Sequence, residues 1–163
     1  MKTLLRTLLS FSLIVWLGSE VFFPFVAQVT FATLNPDKHT AGIIVGQLIR
    51  ILHGMGLVSG MVALAVMALA PAWGIYKPRA VLIPMAFIVM MIGLTVYSQY
   101  GIIPAMERDR ISAGGTIDTA TPGDATTAHF NKLHNRSEFV EEAILLMGLA
   151  TVVLMARAES TRV

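Results

Sequence analysis

Long apolar blocks alternate with short polar connections along this chain. Four blocks approach the length of a membrane span, at about residues 8–34, 43–70, 80–103 and 139–156. A bilayer core of ~30 Å needs about 20 apolar residues in a helix. The first three blocks meet that length, and the fourth is shorter. Strands of an outer-membrane barrel would alternate in units of about ten residues, and no stretch here does. The pattern predicts an all-α integral membrane four-helix bundle, with residues 1–163 as one domain.

The interruptions are as informative as the blocks. Glu20 and Pro24 break the first, Gln47 and Arg50 lie near the start of the second, and Glu141 and Glu142 near the start of the fourth. Amphipathic stretches at 104–110 and 129–142 read as helical. Between them, residues 112–128 are small, polar and rich in Gly, Thr and Ala, a composition that buries little and predicts a mobile polar loop. Lys2 and Arg6 resemble the charged start of a signal peptide. The apolar run behind them is longer than a signal's core and ends in no small-x-small site, so it reads as a retained span.

Composition supports the membrane reading. Of 163 residues, 55% are hydrophobic and 13% charged, against about 45–50% and 25% in a soluble domain. The chain has no cysteine, which excludes disulfides and thiolate metal sites. A net charge of +2 without a basic, aromatic-laced stripe gives no case for nucleic acid. Four spans place both termini on one side of the bilayer. Six basic residues then fall on each side, so the count is even; the basic N-terminus and the short second connection favour cytoplasmic termini. The expected location is a bacterial inner membrane.

Polar residues gather at one end of the predicted bundle. Gln47, Arg50 and His53 come from the second span. Tyr97, Gln99, Tyr100, Glu107 and Arg110 come from the third, and His129, His134, Arg136, Glu138 and Glu141 from the approach to the fourth. Glu20 is the most costly of the intramembrane residues, since a carboxylate at mid-bilayer costs ~2.5–3.5 kcal/mol on insertion scales. It can serve a proton or cation relay, or act as neutral hydrogen-bonded glue between helices. Arg50 and His53 are three residues apart and are expected to share a face. Their plainer reading is pairing with carboxylates such as Glu20 or Glu141.

His53 continues into Gly56 and Gly60, with Gly42 and Gly46 as a second pair of small residues. Such stripes admit a neighbouring helix. They also leave room for a flat ring beside a histidine ligand, so His53 is a candidate ligand to haem or chlorophyll, though no cofactor is assigned. His134, Glu138 and Glu141 follow at i, i+4 and i+7. With Glu107 they could bind a divalent metal, although solvated residues at a helix start are the simpler reading. Glu107 or Arg110 is expected to contact the His134 region, as a salt-bridge latch. No nucleophile elbow or phosphate-binding loop occurs, so no enzymatic activity is expected.

Four stretches in order, WLGSEVFFPFVA (16–27), AGIIVGQLIRILHGMGLVSG (41–60), IIPAMERDR (102–110) and HFNKLHNRSEFVEEAILLMGLA (129–150), carry a family resemblance. The most specific are the Pro-x-x-Glu-Arg element at Pro104 and the Phe-x-x-Leu-His element from Phe130 to His134. The chain resembles a bacterial four-span membrane domain of unknown function, related to a eukaryotic transmembrane protein implicated in platinum-drug resistance. The resemblance implies a four-helix membrane bundle and no established enzyme activity. Gln28, where relatives are expected to carry Pro, and Glu20 depart from the pattern.

Three functions follow as expectations. The first is a non-enzymatic accessory or scaffold subunit in the lipid bilayer, packed against a partner membrane protein or its own copies. The second is a small proton- or solute-coupled transporter using Glu20, Arg50 and His53. The third is a haem- or chlorophyll-associated subunit of a respiratory or photosynthetic complex.

Overall fold

A computed structural model describes residues 1–114 and 124–160 of the chain. The described residues form helices joined by tight connections, with no strand. Helix α1 spans Lys2–Thr33, α2 spans Lys38–Leu69, α3 spans Pro78–Tyr97, α4 spans Ile103–Ser112 and α5 spans Ala125–Ser160. A π turn, Ser98–Ile102, joins α3 to α4 without a break, so Pro78–Ser112 is one 35-residue rod. All four rods are long and apolar enough to cross a membrane.

At 1.5 Å per residue, the 32 residues of α1 measure ~48 Å, well beyond a ~30 Å bilayer core. The surplus length accounts for a difference from the sequence reading. The amphipathic flanks do not form separate pieces; they continue the membrane helices, and α5 is already helical 14 residues before the predicted span start at 139. The predicted polar loop therefore shrinks. Its centre, residues 115–123, lies outside the described residues.

Helix starts and turns follow local chemistry. The Asp37 side chain accepts the backbone N–H of Thr40 at 3.0 Å and caps α2. This bond holds the Asp37 carboxyl below its usual range, as expected where a backbone donor stabilises the charged form. Pro78 occupies the first turn of α3, where its missing N–H costs nothing. Gly74, at φ 60°, makes the left-handed step in the α2–α3 turn. Helix α1 runs through Pro24. Proline cannot donate to the carbonyl four residues earlier, so the Glu20 carbonyl loses its helical partner. Gln28 lies exposed within that same continuous helix.

The rods close in a ring: α1 packs on α2, α2 on α3, α3 and α4 on α5, and α5 on α1. Arg6 approaches Glu159 at 3.6 Å, and the Tyr76 hydroxyl donates to the same carboxylate at 2.7 Å. The start of α1, the α2–α3 turn and the end of α5 thus share one end. The core contains Trp16, Leu13, Met67, Ile88, Met91 and Ile144. Large apolar side chains such as Phe11, Phe22, Phe25, Val58 and Leu146 point outward, as expected for surfaces that face hydrocarbon.

Trp16 seats α1 against α2. A Cβ at Gly56 would lie 2.6 Å from the indole nitrogen, and one at Gly60 would lie 2.5 Å from indole Cζ3. The notch made by these glycines is therefore filled by the indole. Gly42 and Gly46 differ, because a Cβ at either would meet nothing within 4 Å. Gly148 plays the Gly56 role on α5, facing Leu17 and Met91.

Candidate functional site

The middle of the bundle encloses a polar cluster drawn from every rod. Glu20 of α1 is 6% exposed and His53 of α2 is fully buried. The π turn supplies Ser98 and Gln99, and α5 supplies Glu141. His53 Nε2 lies 2.9 Å from Glu141 Oε1, while Nδ1 lies 3.0 Å from Gln99 Oε1. The Ser98 hydroxyl donates to that same Glu141 oxygen at 3.1 Å. With Gln99 presenting its carbonyl, Nδ1 carries a hydrogen and Nε2 becomes the exchanging nitrogen. The imidazole and the carboxylate are thus in hydrogen-bond contact, a geometry in which a proton can be exchanged.

The π turn explains how two consecutive residues serve one pair. The Ile103 N–H bonds to the Ser98 carbonyl five residues back, a widening that proteins place at functional sites. Pro104 follows immediately and cannot donate to the Tyr100 carbonyl, which favours the wider turn.

Glu20 lies within electrostatic reach of both His53 and Glu141. Trp16, one helical turn earlier, directs its indole N–H toward the Glu20 carboxylate. Yet Trp16 Nε1, Glu20 Oε1 and Glu141 Oε2 are buried without a hydrogen-bond partner. Buried polar atoms are seldom left so.

The structure separates the other residues of the expected latch into different groups. Arg110 pairs with Glu107, at 2.5 Å from Nη2 to Oε1, and approaches His39 at 3.4 Å. His134 pairs instead with Glu138 at 3.3 Å and stacks on Phe130, with ring centroids 6.4 Å apart. The Asp109 carboxylate meets His129 at 2.7 Å. The expected contact between Glu107 or Arg110 and His134 is therefore corrected: Asp109 and His129 clasp α4 to α5. Their position fits the alternation of charge along α4, where adjacent residues diverge by about 100°.

Arg50 does not accompany His53 inward. It is exposed and adds its charge near Glu107: three residues of helix leave the two side chains about 60° apart, and the edge of the packed face falls between them. His134, Glu138 and Glu141 do not converge. Glu141 turns onto His53 while Glu138 stays exposed beside His134, and among the described residues no group of three such side chains is placed to hold an ion. At His53 both ring nitrogens are engaged within the bundle, and Trp16 fills the glycine notch beside it. Ser98 and Trp16 are site residues not expected from sequence; their signals are Pro104 behind the first and the i, i+4 spacing to Glu20 for the second.

A closed ring of four membrane-spanning helices around a buried acid–imidazole–acid cluster defines an α-helical multi-pass membrane protein. The chain belongs to the family described as Domain of unknown function (DUF4149), whose model matches residues 11–110. That match spans Glu20, His53, Ser98 and Gln99 and stops short of Glu141. No curated protein and no solved structure is matched by the chain.

Proposed function

We propose that this protein is a small proton-coupled membrane protein, without enzymatic activity, in which the His53–Glu141 pair takes up and releases a proton with Glu20 as its acidic neighbour. The 2.9 Å contact between His53 Nε2 and Glu141 Oε1 inside the bundle carries this reading. Ionisable groups are costly within a membrane and mark ion and proton paths where they are kept. Ser98 and Gln99 hold the pair in one geometry, and Arg50 takes no part. The test is proton flux into liposomes containing a trapped pH dye, driven by a potassium diffusion potential. Wild-type protein should exceed empty vesicles, and Glu20→Gln and His53→Asn should fall to the empty-vesicle rate while retaining helical content. Equal flux from wild type and both variants would refute it.

A second reading, an accessory element packed against a partner membrane protein or another copy, is favoured by one observation. Gly42 and Gly46 open outward with nothing against them, and small residues let helices approach closely. Cysteine crosslinking from position 42 or 46 in native membranes tests it; crosslinks to lipid alone would count against it. The ordered motifs also support kinship with the eukaryotic protein implicated in platinum-drug resistance. A bacterial inner membrane with cytoplasmic termini completes the proposal, and reporter fusions at each end would reveal an inverted arrangement.

A further inference from the structure

We propose that Trp16, Glu20 and Glu141 form a binding site for one water molecule, which joins Glu20 to the His53–Glu141 pair as a single protonic chain. This inference rests on the proton-coupled reading and adds its missing connection. Within this cluster, three buried polar atoms lack hydrogen-bond partners among the described residues: Trp16 Nε1, Glu20 Oε1 and Glu141 Oε2. Trp16 is fully buried and Glu20 is 6% exposed, so bulk solvent does not satisfy them.

The chemistry of these atoms selects the guest. An indole N–H only donates, and an ionised carboxylate oxygen only accepts. With both carboxylates ionised, a guest satisfying all three must accept one hydrogen bond and donate two; with Glu20 protonated, it accepts two and donates one. Bare metal cations cannot donate, and ammonium ions cannot accept. A water molecule does both, and waters in protein interiors typically make about three such bonds. The facing groups are Glu20 from α1, His53 from α2, Ser98 and Gln99 from the π turn, and Glu141 from α5; Trp16 adds the neutral donor.

Proton movement through this site balances without another reactant. When Glu20 is protonated, its O–H donates to the water. The water takes that proton and releases one of its own to Glu141 Oε2, so an O–H bond breaks at Glu20, one forms and one breaks at the water, and one forms at Glu141. The guest remains a water. Glu141 then exchanges with His53 Nε2 through its other oxygen.

Infrared difference spectra after a pH jump test the site, using the full chain in lipid nanodiscs prepared in ordinary and ¹⁸O-labelled water. A water O–H stretching band should shift to lower frequency in the labelled solvent. The band should be lost in Trp16→Phe and in the isosteric Glu20→Gln, which keeps the test valid if the Trp16 variant folds poorly. If carboxyl and imidazole bands respond to pH but no ¹⁸O-sensitive band appears, the water site is overturned and the His53–Glu141 reading stands. A band that survives in both variants also overturns the site, because the water is then elsewhere. If neither water nor side-chain bands respond, both readings fall.

Discussion

Adding one methyl group at Gly56 or Gly60 tests the packing that aims Trp16. A Cβ at position 56 would lie 2.6 Å from indole Nε1 and 3.0 Å from Cδ1 and Cε2. At position 60 it would meet Cζ3 at 2.5 Å and Ile92 Cγ1 at 3.0 Å. The indole is rigid and fully buried, so helix α1 or the ring must shift. Overpacking of this kind costs about 1–3 kcal/mol. Alanine also gains roughly 1 kcal/mol of helix propensity over glycine, and Gly42→Ala and Gly46→Ala make the same gain without a clash. The difference between the two pairs isolates the steric cost, roughly 5- to 150-fold in the unfolding equilibrium. Denaturant titration in mixed micelles, followed by circular dichroism, measures it. In a Trp16→Leu background the cost should vanish, since the coupling runs through the indole. Equal stability of the Gly56, Gly60, Gly42 and Gly46 variants would refute the close seating of Trp16. The displaced indole should also weaken the ¹⁸O-sensitive water band, although no polar group has been changed.

Two further outcomes follow from the ends of the bundle. Because the chain has no native cysteine, paired cysteines can be placed without background: a pair at 109 and 129 should crosslink under mild oxidation, and a pair at 107 and 134 should not. The reverse pattern would move the α4–α5 clasp back to the arrangement expected from sequence. The Asp37 cap should contribute stability above the ordinary aspartate range near pH ~3.9 and lose it as pH falls through the lowered folded-state value, because protonation removes the charged acceptor for Thr40 N–H. Asp37→Asn keeps an acceptor and should flatten this acid dependence in a melting series; an unchanged series would disconnect it from the cap.

The membrane architecture was legible because apolar length is a one-dimensional property, and four long runs can be read without any contact information. The extent of the helices was less legible. The stretch 129–142 reads as helical from its amphipathic pattern, but hydropathy does not show that it runs unbroken into the span as one helix, Ala125–Ser160. At the site, His53 and Glu141 were both named from sequence, and the structure brings them together. Arg50 and His53 lie on one side of α2, about 60° apart, yet only His53 is buried; where the packed face ends depends on the neighbouring helices, which spacing within α2 does not reveal. The glycines show the same limit. Gly42–Gly46 and Gly56–Gly60 are identical in spacing, but only the second pair receives the indole. Nothing local to α2 distinguishes them; the difference comes from the register of α1, which a single sequence does not reveal.

Pro104 ties this register to chemistry, and its replacement yields the most discriminating prediction. In a regular helix, consecutive side chains point about 100° apart, so Ser98 and Gln99 would not both reach a single histidine–carboxylate pair. The π turn over Ser98–Ile102 lets Ser98 bond Glu141 while Gln99 bonds His53. Pro104→Ala supplies the missing N–H to the Tyr100 carbonyl and so favours an ordinary α turn. One of the two contacts should then be lost. Losing Gln99 frees His53 Nδ1, and the two ring nitrogens should become comparable in ¹⁵N spectra of labelled histidine; losing Ser98 instead should leave the Nδ1–H form and alter only the Glu141 carboxyl signal. Pro104 touches neither ring nitrogen, so either change reports the turn and not a direct contact. If Pro104→Ala leaves both signals as in the wild type, the proline does not hold the π turn, and the polar cluster owes its geometry to Glu141 and the packing of α5 alone.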